Sequence, residues 1–283
     1  MPVARRLKTV DVFTAVPLLG NPVAVVLDGD GLDTARMQAF AAWTNLSETT
    51  FVLPATSPEA DYALRIFTPV EELPFAGHPT LGSAHAVIEA GIATPRAGRL
   101  VQQCAAGLVE IDATGPGLSF RLPRAIVNDA PAPALDWLGG IPVLGPARAI
   151  DVGPVWLVAQ LADAGQLATL AFDRAAFAAY QLAHGMTGTT LFALDGDGQP
   201  HVRSFFWSGG AVVEDPVCGS GNAAVAVHRI AEGQAGDGSA WTATQGRQIG
   251  RDGRVMVRVI AGQVHVGGEC VTCVDGLVAA GLG

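Results

Sequence analysis

The sequence predicts an α+β fold of two pseudo-symmetric lobes, each a curved, mainly antiparallel sheet wrapped around a central helix. Two observations predict it. A short passage occurs twice, at Leu73-Pro-Phe-Ala-Gly-His-Pro79 and at Glu214-Asp-Pro-Val-Cys-Gly-Ser-Gly221. Each opens a helix of small residues that closes on glycine at the same distance, Gly77 to Gly91 and Gly219 to Gly233. From 77 to 219 is an offset of 142, about half of the 283 residues. Further matches keep the same order: Asp11-Val12 with Asp151-Val152, Pro22-Val23 with Pro154-Val155, Asp33 to Phe40 with Asp173 to Tyr180, and Thr49-Thr50-Phe51 with Thr189-Thr190-Leu191. A domain-sized period is a duplication; solenoid repeats run ~20–50 residues.

The elements follow in order. Strand signals open each half at Thr9 to Phe13, Val23 to Leu27 and Val155 to Leu161. Asp33 and Asp173 are expected N-caps of helices whose apolar stripes are Met37 with Phe40 and Phe177 with Tyr180. Strands follow at Thr50 to Leu53, Tyr62 to Thr68, Thr190 to Leu194 and Val202 to Trp207. Next come the small-residue helices, Pro79 to Glu89 and Gly221 to Glu232, apolar nearly all round and therefore buried. Strands close each half at Leu108 to Ile111, Leu118 to Leu122, Val255 to Ile260 and Gln263 to Val266. The Pro-rich stretch Asp129 to Ala134 reads as a linker. The lobes are expected at 1–128 and 129–269, with a C-terminal strand, 270–283, joining the first.

Composition excludes several classes. Hydrophobic residues make 49% and charged residues 15%, which describes a globular chain rather than a disordered one. Net charge is −9 and no basic stripe carries interleaved aromatics, so nucleic acid is not an expected partner. No apolar run reaches the ~18 residues of a membrane span. No signal-peptide core follows the N-terminal basic residues, and four irregular cysteines suit a reducing cytoplasm. Cys270-Val-Thr-Cys273 reads as strand packing rather than a zinc knuckle. Asp-Gly-Asp-Gly at 28–31 and 195–198 lacks the further ligands of a calcium loop and reads as hairpin turns. No metal is expected.

Chemistry gathers at the two helix starts. The first turn of a buried helix presents unpaired N–H groups and partial positive charge. Glycines Gly77, Gly219 and Gly221 let an anion approach that backbone, although close helix packing needs glycine too. Two such ends converging would hold a small carboxylated substrate. Nearby in sequence are Glu48, His78, Asp215, Cys218 and Ser220. Glu48, in Asn45-Leu-Ser-Glu-Thr-Thr50, has Gly188 as its counterpart, so a single proton-shuttling base is expected. Cys218 faces Ala76 in the repeat, which removes a mechanism with a thiol from each lobe. At a helix start its thiol would be acidified; alternatively it fills a tight turn.

These residues together resemble the PhzF-like phenazine-biosynthesis isomerase family, within the diaminopimelate-epimerase-like fold. The resemblance runs nearly end to end and rests on Asp11-Val-Phe13, Gly20-Asn-Pro22, Asn45 to Thr49, Arg65-Ile-Phe-Thr-Pro69, Leu73 to Thr80, Glu214 to Val217, Gly219-Ser220, Gln245-Gly246, Gly250-Arg251 and Val266-Gly-Gly268. It implies an isomerase that needs no cofactor, acting in the cleft between two lobes, commonly as a homodimer. The family's best-known reaction isomerises trans-2,3-dihydro-3-hydroxyanthranilate. The resemblance gives Glu48 the proton transfer between carbons and His78 and Asp215 contact with the polarised substrate. It gives Gly77, Gly219 and Ser220 the substrate's polar groups. Many relatives carry threonine where Cys218 stands, whereas the epimerase cousins carry their thiol there. Two rivals therefore stand beside the glutamate shuttle: an epimerase using Cys218 as a base, and a non-catalytic protein that binds a small acid.

Overall fold

The structure, a computed structural model, describes residues 4–129, 135–208 and 210–279. In order the elements are β1 (Arg5–Val12), β2 (Asn21–Val26), α1 (Thr34–Thr44), β3 (Thr49–Leu53), β4 (Tyr62–Phe67), β5 (Glu72–Leu73), α2 (Gly77–Glu89), β6 (Arg99–Cys104), β7 (Gly107–Asp112) and β8 (Leu118–Arg121). There follow β9 (Ile126–Asp129), β10 (Val143–Asp151), β11 (Val155–Leu161), α3 (Ala164–Ala168), α4 (Arg174–His184), β12 (Gly188–Leu194), β13 (Pro200–Ser208), β14 (Ala211–Glu214), α5 (Gly219–Ala231), β15 (Ala240–Gln245), β16 (Gly253–Ile260), β17 (Gln263–Gly268) and β18 (Cys270–Val278). Contacts divide the chain into two compact units, Met1–Phe120 with Gly267–Gly283, and Arg121–Val266.

Within the first unit the strands lie side by side as β18-β1-β2-β3-β4-β6-β7; within the second, as β9-β10-β11-β12-β13-β15-β16. Both ladders are antiparallel except at β2–β3 and β4–β6, and at β11–β12 and β13–β15. Those are the pairs joined through helices, because parallel neighbours require a crossover. In the first unit β3 and β4 run in opposite directions, so right-handed crossovers put α1 and α2 on opposite faces of the sheet. The alternation along β3 agrees. Thr49 bonds Thr44 of α1 and Phe51 packs with Met37 and Phe40, whereas Thr50 between them bonds Ser83 of α2. In the second unit Gln181 of α4 donates to Thr189, and Leu191 packs with Phe177 on the same side.

The N-caps are where the local sequence puts them. Asp33 accepts from the Arg36 amide, and Asp173 from those of Ala175 and Ala176. Nine of the thirteen residues of α2 and ten of the thirteen of α5 are buried. α2 packs on β1, β2, β3, β4, β6 and β18, and α5 on β9 to β12 and β16. Both helices start two residues earlier than the sequence suggests, at Gly77 and Gly219. Pro79 sits in the first turn of α2, where its missing N–H breaks no helical bond.

Register corrects one alignment of the repeat. Asp11 pairs with Pro22 and Asp151 with Val155, so Pro22 corresponds to Val155, not Pro154. Asp195 to Gly198 is the expected hairpin turn, closed by the Gly198 amide on the Asp195 carbonyl. Residues 28–31 instead lead from β2 to α1, with Asp28 held by Arg6. The supposed linker lies outside the described residues from 130 to 134. Cys270 and Cys273 are free and half-buried in β18, where Cys273 sits at a bulge opposite Thr9 and Val10. Among the described residues no helix is long and apolar enough to cross a membrane.

Candidate active site

In the first unit, β2 positions both members of an acid–imidazole pair. Asn45 ends α1 in the left-handed conformation (φ 54°) and lets the chain turn back towards β3. The Ala24 amide of β2 then holds the Glu48 carbonyl. From the start of α2, the His78 ring reaches the Pro22 carbonyl on the same strand. Its Nε2 lies 3.3 Å from Glu48 Oε2, with side-chain exposures of 8% and 16%. Since Nε2 faces the carboxyl, Nδ1–H is the donor to Pro22, which leaves the Nε2 lone pair towards Glu48. Burial pushes the imidazole down to about 3, so the ring is neutral. His78 is thus no helix cap. Ala76 at the N-cap offers no side-chain bond, and among the described residues the Gly77 and His78 amides lack an acceptor.

Neutral His78 carries a consequence for stability. Its folded value, about 3, lies below the ordinary 6.5, so its contribution is present above pH 6.5 and lost as pH falls towards 3. Asp215 opposes this below pH 6, because its raised value favours the folded state on acidification. Urea unfolding at pH 7 and pH 5 is therefore expected to show His78→Gln losing less stability on acidification than wild type. Equal losses would show that the ring is not held neutral.

In the second unit, Cys218 is the N-cap of α5: its sulfur accepts from the Gly221 amide at 3.2 Å. The Gly219 and Ser220 amides, like those of Gly77 and His78, lack an acceptor among the described residues. Asp215 does not cap α5; its Oδ1 accepts from the Val217 amide, and the carboxyl also bonds the Cys218 thiol. Burial pushes Asp215 up to about 6. The thiol moves opposite to the expected acidification. Burial first, then the Asp215 carboxyl, raise Cys218 well above its ordinary range and outweigh the helix-start amide. Gly221 is explained by packing, because a Cβ there would stand 2.6 Å from Ser204 Oγ and 2.7 Å from Thr190 Oγ1.

Two supports escaped the sequence reading. Arg65 pairs with Glu72 and stacks on Phe67; Arg203 pairs with Glu214 and stacks on Phe205. Each clamps the hairpin that leads into a helix start. The visible signal was Arg-x-Phe at both 65–67 and 203–205. A buried glutamine also holds the fourth residue of each helix: Gln102 donates to Thr80, and Asn222 donates to Gln245. Among the described residues no group of three or more His, Cys, Asp or Glu is disposed to hold a metal.

A solved PhzF-family protein of Bacillus anthracis has this fold, with a TM-score of 0.85, 23% identity, and coverage of 98% of this chain and 99% of its own. Residues 10–276 match the model of the phenazine biosynthesis-like (PhzC–PhzF) family, and the chain belongs to that family. It is 39% identical to antisense-enhancing sequence 1 of Schizosaccharomyces pombe, over 95% of this chain and 97% of that one. It is 36% identical to the trans-2,3-dihydro-3-hydroxyanthranilate isomerase of Pseudomonas aeruginosa, over 89% and 90%. The chain is an isomerase.

Proposed function

We propose that the protein moves a proton between two carbons of a small carboxylated substrate, with Glu48 as the base and then the acid. What carries this reading is the Glu48–His78 pair beside uncapped amides at a buried helix start. Glu48 takes a proton from carbon; the C–H electrons pass into the conjugated system, and the charge that develops is stabilised by amides and polar groups. The neutral His78 Nε2 accepts a hydrogen bond from protonated Glu48, so the proton is held and then returned to a second carbon. Asp215, neutral below about pH 6, and the Gly77, Gly219 and Ser220 positions bind the substrate's polar groups. A substrate of the anthranilate-isomerase type is favoured by the 36% identity to a protein of that name.

The test is turnover of trans-2,3-dihydro-3-hydroxyanthranilate in D2O, followed by NMR. The newly protonated carbon is expected to carry either deuterium or the substrate's own transferred hydrogen. Failure of wild type to turn it over would remove this substrate.

The buried thiol argues against Cys218 as the base. Cys218→Ser is expected to keep turnover within about threefold of wild type, since serine preserves a donor to Asp215. Removing a general base costs ~10²–10⁴-fold, and a loss of that size would restore the epimerase reading.

A further inference from the structure

The two units differ where the first holds its acid–imidazole pair. Counting along the repeat, Glu48 corresponds to Gly188 and His78 to Ser220. The space beside Gly188 is not open: a Cβ there would meet Trp156 Cζ3 at 2.4 Å and the Phe205 carbonyl oxygen at the same distance. Trp156 is the neighbour of Gly188 across the parallel β11–β12 pair, and the residue is 3% exposed. Its indole N–H reaches Ser220 Oγ at 3.0 Å. One buried tryptophan thus fills the place of the missing carboxylate and bonds the residue that stands in for the histidine.

We infer that Trp156 is a positioning residue for the isomerase reaction, fixing Ser220 as a hydrogen-bond donor to a polar oxygen of the substrate. An indole N–H only donates, so Ser220 Oγ is committed as an acceptor and its own proton points elsewhere. The other contact of that hydroxyl is the Cys218 sulfur at 3.5 Å, a weak acceptor that a carboxylate or carbonyl oxygen would displace. Ser220 is half-buried and its own amide, in the first turn of α5, lacks an acceptor among the described residues, so hydroxyl and amide can serve one anionic group. The ring also blocks a side chain at Gly188, which keeps this unit from carrying a second base. The inference takes its substrate from the function proposed above, but the bond between the two side chains can be read without it.

Two measurements test it. In ¹⁵N-labelled protein without substrate, the Trp156 indole N–H resonance is expected to shift on Ser220→Ala; an unmoved resonance overturns the inference whatever the substrate. In turnover of trans-2,3-dihydro-3-hydroxyanthranilate, Trp156→Phe keeps a ring over Gly188 but removes the donor. KM is expected to rise about tenfold with kcat within about twofold, because a bond made equally in ground and transition states is lost. Ser220→Ala should do at least as much, and the double variant no more than Ser220→Ala alone. Effects that multiply, or a kcat loss with KM unchanged, would overturn it. No turnover by wild type would remove the substrate alone and leave the resonance to decide.

Discussion

Glu48→Gln is expected to lose about three orders of magnitude in kcat, within the range for removal of a general acid–base group. The substitution keeps shape and leaves an amide that can donate to His78 Nε2, so the pair stays in contact while the proton carrier is gone. The strand that positions Glu48 is untouched, since its carbonyl, not its side chain, meets the Ala24 amide. Circular dichroism and the urea midpoint should match wild type within error. With the fold intact, turnover near the wild-type rate would take the proton transfer away from this residue. Whichever hydrogen the wild-type product carries at the newly protonated carbon, its delivery should slow together with kcat.

Arg203→Met is expected to destabilise the protein by about 3–5 kcal/mol, the range for breaking a buried ion pair. Arg203 and Glu214 are each 10% exposed at the side chain and meet through two hydrogen bonds of 2.9 and 2.7 Å; Arg203 also holds the Leu167 carbonyl. Methionine would leave the Glu214 carboxylate buried without its cation, and Asp215 is the next residue. Replacing both partners by methionine should recover most of the loss, because no charge is then stranded. The counterpart pair, Arg65 with Glu72, is 27% and 33% exposed, so Arg65→Met should cost only about 1 kcal/mol. Urea unfolding of the four proteins decides it. A small effect of Arg203→Met, or a double variant as weak as the single, would show that the clamp carries little of the fold.

Much of this molecule was written locally in the chain. Asp33 and Asp173 cap helices through bonds spanning two or three residues, so neighbouring sequence was enough to find them. The repeat set the order of elements, and the helix-joined parallel pairs follow from that order. The exchange of Glu48 for Gly188 was legible too, since it needs only an alignment of the two halves. Glu48 and His78, thirty residues apart, could each be named from the sequence but not as a pair in contact.

Packing decided the rest. Local sequence puts Cys218 at a helix start, where amides lower a thiol; folding buries it and brings the Asp215 carboxyl to it, and the direction reverses. The neutrality of His78 depends on burial and on the Pro22 carbonyl, supplied by a strand far back in the chain. Trp156 meets Ser220 across 64 residues, and Gln245 meets Asn222 across 23. Caps and periodicity depend on a few adjacent residues and survive in the sequence. Desolvation and the direction of a donor depend on which distant side chains share a volume, and only the folded chain brings them together.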